Sequence, residues 1–170
     1  MRRMLFKSLV HGRLTETAPA ADDAALAELA GKIDRAAQLR LGRTLFIREV
    51  DAGSCNGCEL EIHALNNIVY DLERFGLRFV ASPRHADVLL VTGPVTTNMR
   101  EALERTYQAT PGPKWVVAVG DCGFDGGVFA GSYACVGGVS AVLPVDLHIR
   151  GCPPSPTALL RGLLALLETA

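Results

Sequence analysis

No apolar run in this sequence of 170 residues approaches the roughly 18 to 20 residues that a membrane-crossing helix needs. The longest, DVLLVTG (87–93) and WVVAV (115–119), have the length of strands. The expectation is a soluble or peripheral chain. An export signal is lacking as well. MRRMLFK carries twin arginines, but only Leu9 and Val10 lead into His11, Gly12 and Arg13, which leaves no apolar core region and no small-residue cleavage site. The segment is therefore expected to be retained and cytoplasmic. There is no basic stripe: the net charge is −1, and residues 51–170 are acidic on balance, which argues against a nucleic-acid partner. Five unevenly spaced cysteines are too few for a secreted disulfide framework, and in an intracellular setting they point to metal binding or redox work. No internal repeat or low-complexity tract is present.

What is present suffices for one folded unit, since 49% of the residues are apolar and 21% charged. Residues 1–13 carry Arg2, Arg3, Lys7 and Arg13 without an acid, with Met1, Met4, Leu5 and Leu9 at helical spacing. That pattern suits a helix docked on a membrane surface or a partner, and equally a frayed basic terminus. Residues 14–23 read as a linker, and Asp22 or Asp23 is placed to cap a helix reaching about Leu41. The division expected is a helical extension and linker over 1–43 and a folded domain over 44–170. In that domain strands at 44–50, 77–82, 86–93, 114–120 and 141–149 alternate with helices at about 58–74, 97–109 and 155–168, and residues 123–138 form a Gly-rich loop. Near-continuous apolar strands alternating with helices predict an α/β fold, an open parallel sheet covered by helices on both faces.

Sites in such sheets form beyond the carboxyl ends of the strands. Here those ends carry Cys55 and Cys58 after the first strand, Cys122 in GDCG after the fourth, and Cys152 in RGCPP after the last. Three separate segments deliver four thiols to one sheet edge. Four thiolates suit either zinc or an iron–sulfur cluster. Structural zinc sites ordinarily use two close cysteine pairs, whereas this chain has one pair and two distant singles in a domain with its own core, so iron–sulfur is the preferred reading. Asn56 and Gly57 supply a tight turn, and Gly53, Gly120, Gly123, Gly126 and Gly127 let backbone N–H groups approach the sulfurs. Pro153 and Pro154 are expected to hold Cys152 extended and to start the last helix. Cys135 is left over and reads as a small buried hydrophobe.

Glu59 and Glu61 open the helix after Cys58, where acids favour the macrodipole. Glu61, three residues on from Cys58, shares its face and is the candidate for proton transfer or partner contact, with helix-start electrostatics as the plainer account. His63 and His85 lack a second ligand at metal spacing and read as surface or interface residues. Arg84 reads either as a balance to the cluster's charge or as a solvated residue.

The motifs GSCNGCELE, SPRHADVLLVTGPVT, KWVVAVGDCG and VLPVDLHIRGCPP, with the helix that follows, together resemble the family of the 20 kDa subunit of respiratory complex I and the small subunit of membrane-bound, energy-converting [NiFe] hydrogenases. The resemblance covers about Thr44 to Glu168. It implies a flavodoxin-like domain and one [4Fe-4S] cluster on Cys55, Cys58, Cys122 and Cys152. CNGC resembles the hydrogenase branch, of the formate hydrogenlyase or hydrogenase-4 type, since complex I subunits carry adjacent cysteines at that position. The role implied is electron transfer next to the catalytic centre. Implied partners are a large catalytic subunit ([NiFe]-bearing, or 49 kDa-like as in complex I), a ferredoxin-like cluster subunit and membrane subunits, with the chain peripheral on the cytoplasmic face of the inner membrane. It is not catalytic alone, because only Cys135 remains for any nickel site. The alternative within the family is a complex I type subunit passing electrons to quinone. Outside it stand a zinc-stabilised interaction module and a flavin-binding flavodoxin, the latter needing a phosphate-cradling loop where Cys55 and Cys58 stand.

Overall fold

The computed structural model describes residues 23–169, so the basic segment 1–13 and nearly all of the linker lie outside the described residues. Helix α1 (Asp23–Leu41) leads into strand β1 (Leu45–Asp51), and a cysteine-bearing turn follows before helix α2 (Gly57–Ala64). The chain continues through β2 (Leu77–Phe79), β3 (Val88–Thr92) and the short β4 (Val95–Thr96) into helix α3 (Thr97–Ala109). Then come β5 (Trp115–Val119), the short helix α4 (Gly120–Asp125), β6 (Cys135–Gly137), β7 (Leu147–Ile149) and helix α5 (Pro156–Thr169).

The main sheet is parallel throughout, in the order β2-β1-β3-β5-β7. Counted along the sheet's own strands this is 2-1-3-4-5, the doubly wound flavodoxin-like order. β4 and β6 form a separate antiparallel pair. The continuous apolar runs are explained by burial on both faces. Val88 and Leu90 of β3, with Val117 and Val119 of β5, join Ile62 of α2 and Leu159, Leu160 and Leu163 of α5 in one core. Leu89 and Val91, with Val116 and Ala118, point the other way and meet Leu103 of α3, Val139 and Leu143. Alternation along one strand thus feeds two cores. Helix α1, assigned by sequence to the extension, places Ile33 and Ala37 in the first of these cores, fully buried.

Two elements differ from the sequence expectation. The helix expected over 58–74 ends at Ala64, because Asn67 turns back on the chain. Its Oδ1 accepts from the N–H groups of Val69 (2.8 Å) and Tyr70 (3.0 Å), and a 3₁₀ turn takes up Leu72–Phe75. The strand expected over 141–149 forms only at Leu147–Ile149. Before it, Val139–Ala141 is a 3₁₀ turn, and Pro144 has no N–H to give a ladder. The last helix runs Pro156–Thr169, within a residue of the expected 155–168, although it starts after Pro153 and Pro154, with Ser155 Oγ accepting from Ala158 N–H at 3.3 Å. The Gly-rich loop holds α4's end, a 3₁₀ turn over Gly127–Phe129 and β6.

Candidate metal centre

β1 ends in a turn built by its last residue. Asp51 Oδ1 accepts from Gly53 N–H and Ser54 N–H, both at 2.7 Å, and Ser54 Oγ accepts from Asn56 N–H at 3.1 Å. Asn56 itself is left-handed, φ 70°, a conformation that asparagine tolerates better than most residues. This is the tight turn the sequence led one to expect, and it delivers Cys55 exposed and Cys58 buried in the first turn of α2. Cys122 is buried in α4, directly after β5, and Cys152 is exposed after β7. All four therefore lie at the carboxyl edge of the sheet.

Their mutual influence is visible in the thiol chemistry. Burial, reinforced by the negative potential of Glu59, Cys55, Cys122 and Cys152, pushes the Cys58 thiol up to about 12. Burial also raises Cys122, against which Val128 N–H donates to its sulfur; Cys152, Cys55 and Asp121 push it further up. Cys135, partly buried on β6, stands outside this set of interactions. Among the described residues no three His, Cys, Asp or Glu side chains close in tightly enough to hold one metal ion.

Two glycines pack tightly against the buried sulfurs. Gly120, at φ 82°, passes so close to α2 that a Cβ there would stand 2.7 Å from Cys58 Sγ. A Cβ on Gly127 would stand 2.8 Å from Cys122 Sγ. These are positions where a side chain would displace a thiol. A cavity of about 480 Å³ opens beside Cys122 and Cys152, lined also by Asp121, Asp125, Arg150 and Val128.

The acids divide in a way the sequence did not signal. Glu61 is half-buried. Glu59, adjacent to Cys58, is 7% exposed, and neither carboxylate oxygen has a hydrogen-bond partner. Facing it from β1 is Glu49, one of whose oxygens is also buried without a partner. Burial holds the Glu49 carboxyl above its ordinary range; His63 pulls it down while Glu59 and Asp51 push it up. A helix-start acid is ordinarily solvated, and only the approach of β1 reveals that this one is not. His63, Arg84 and His85 are exposed.

Several known proteins resemble this chain in sequence and fold. The family model described as "NADH ubiquinone oxidoreductase, 20 Kd subunit" matches residues 55–166, a span that begins and nearly ends with the four-cysteine region. Formate hydrogenlyase subunit 7 of Escherichia coli (strain K12) is 47% identical over 132 residues, 76% of this chain and 52% of its own length. The match thus spans about half of that relative. The probable membrane-bound hydrogenase subunit mbhJ of Pyrococcus furiosus is 47% identical over 128 residues, 75% of this chain and 77% of its own. Among solved structures, a chain of the membrane-bound sulfane sulfur reductase, an archaeal respiratory membrane complex, superposes with a TM-score of 0.66 at 35% identity, covering 79% of this chain and 72% of that one. With the sheet order, the cysteine-bearing strand ends and these likenesses in agreement, the chain belongs to the NADH ubiquinone oxidoreductase 20 kDa subunit family.

Proposed function

We propose that this chain is the electron-transfer subunit of a membrane-associated oxidoreductase of the energy-converting [NiFe] hydrogenase type, carrying one [4Fe-4S] cluster on Cys55, Cys58, Cys122 and Cys152. The observation that carries the reading is the placement of four thiols from three loops within electrostatic range of one another, beside glycines whose side chains would occupy the sulfurs' space. A single zinc ion, about 2.3 Å from each of four sulfurs, would draw them into one compact tetrahedron. One close cysteine pair and two distant singles, in a domain with its own core, favour a cluster over a structural zinc ion, which ordinarily uses two close pairs. When bound, the cluster supplies one-electron exchange without changing its ligands.

The chain's own residues hold and insulate that group. Cys58 and Cys122 sit on the buried side, while Cys55 and Cys152 face outward, where a large catalytic subunit would complete the enclosure. Further relay clusters belong on a ferredoxin-like partner, and membrane subunits anchor the assembly. No helix among the described residues is long and apolar enough to cross a membrane. Relatives described as membrane-bound support a peripheral place on a membrane, which we assign to the cytoplasmic face of the inner membrane. Glu61, half-buried one turn beyond Cys58, is assigned to proton transfer or to the partner interface. The CNGC spacing and the hydrogenase relatives favour the [NiFe] branch over a quinone-reducing one.

The test is anaerobic purification followed by iron and sulfide analysis and low-temperature EPR of the reduced protein. Wild type should carry four irons and four sulfides per chain on the stoichiometry of the proposed cluster. Cys122→Ser should lose most of this, since an alcohol is a poor ligand for a soft metal, and Cys135→Ser should not. Equal loss in both variants sinks the ligand assignment. Nickel in the co-purified complex supports the hydrogenase branch, and its absence with intact cluster content favours the quinone branch.

A further inference from the structure

We infer that the Asp121–Arg150 ion pair is a positioning device, which ties the Cys122 turn to the Cys152 turn and sets the charge around the group those two cysteines hold. This rests on the cluster reading above. β5 and β7 pair in parallel only from Val117–Leu147 to Val119–Ile149, and there the ladder ends, several residues short of the cysteines. A three-bond bracket carries the register onward. Asp121 N–H donates to the Gly151 carbonyl at 2.9 Å, while Asp121 Oδ1 accepts from Gly151 N–H at 3.2 Å and from Arg150 Nε at 2.7 Å. The residue before each cysteine is thereby bonded to the other in both directions.

Arg150 is fixed from a second side. Its guanidinium carbon lies 4.0 Å from the Phe124 ring centroid, and that ring meets His148 edge-on at 4.9 Å. Asp121 and Arg150 line the same cavity as Cys122 and Cys152. With side chains 35% and 53% exposed, the pair adds little to global stability, because solvent screens an exposed ion pair. Its placement therefore matters to the two cysteine turns far more than to the sheet. A fixed cation beside a redox group favours the reduced, more negative state and raises the potential, and a fixed anion lowers it. The two partners should thus be separable by sign.

The experiment uses the full-length protein, purified anaerobically, as wild type, Asp121→Asn, Arg150→Gln and Arg150→Lys. It reads the potential by EPR-monitored titration and the rate of iron loss to a chelator. Asp121→Asn should raise the potential and Arg150→Gln lower it, with iron lost several-fold faster from both, while Arg150→Lys keeps the potential near that of wild type. A part in packing alone cannot produce opposite signs. Should Arg150→Gln fail to load iron while Arg150→Lys loads it, the positioning role stands by rescue. Variants that load and match wild type in potential and in iron loss overturn the inference, and so does failure of Arg150→Gln and Arg150→Lys alike to fold by circular dichroism. Wild type without iron and sulfide overturns the cluster reading itself and takes this inference with it.

Discussion

Asp87 sits at the start of β3, 7% exposed, and is held by three donors: Arg43 Nη1 at 2.9 Å, Arg43 Nη2 at 2.7 Å and Phe46 N–H at 3.0 Å. The bidentate fork matches carboxylate geometry and joins the entry of β1 to that of β3. Arg43 is half exposed and free to rewet, so Asp87→Ala should cost about 2 kcal/mol, below the roughly 3 to 5 of a fully buried pair, and the melting temperature should fall by about 4 to 8 °C. Calorimetry checks this; a shift under one degree would show the fork to be ornamental. Glu49 works in the opposite direction. In the unfolded chain it titrates near 4.5, but folded it holds its proton to higher pH, chiefly through burial. As pH rises from 4.5 through the folded value, unfolding releases a proton that the folded state retains, so stability is lost across that window. Glu49→Gln removes this titration. Its urea midpoint should fall less steeply with pH than that of wild type above 4.5, and parallel curves for the two would show that Glu49 ionises as a solvated acid. The sequence offered Glu49 only as a polar residue in a strand, and its burial follows from Glu59 and His63 arriving from α2.

At the scale of elements, α1 tests where the domain begins. Ile33 is fully buried in the core shared by α5 and the sheet. Ile33→Ala should therefore cost about 2 to 5 kcal/mol and lower the denaturant midpoint of the whole domain in one transition. If residues 23–41 are only an appendage, the main transition will not move. Periodicity made β1, α3, β5 and α5 legible nearly to the residue, since each buries a face whose spacing shows in the sequence. It failed where local chemistry or distant partners decide. Asn67 stops α2 through its own side chain, and the six residues of α4 are helical although GDCGFD carries two glycines. What holds α4 there is tertiary: the Asp121–Gly151 bonds at its start and the seat of Gly123 against Ala118 and Val91. The candidate ligands, by contrast, were legible, because strand ends in a parallel sheet converge on one edge whatever the lengths of the loops.

For the whole molecule, the apolar side chains exposed beside the thiols bear on where a partner would dock. Val128, 83% exposed, lines the cavity beside Cys122 and Cys152, and Phe124, Phe129 and Tyr133 expose apolar surface along the same stretch of chain. Apolar side chains gathered beside outward-facing thiols are what a partner subunit would cover. At the opposite edge of the sheet Leu39 is 90% exposed near the end of α1, where its neighbour Arg40 lies over Trp115, the first residue of β5. Placing an acid at each position separates the two edges. If the proposed large subunit docks here, Val128→Asp should reduce its co-purification on the order of ten-fold or more, the loss a central interface residue gives when truncated or charged. The variant chain should keep whatever iron the proposed cluster brings to wild type, because Val128 meets Cys122 through its backbone N–H and the substitution leaves that donor in place. Leu39→Asp should leave both readings unchanged. If Val128→Asp retains the proposed large subunit at wild-type yield, that subunit docks elsewhere, and Cys55 and Cys152 face solvent or a different protein.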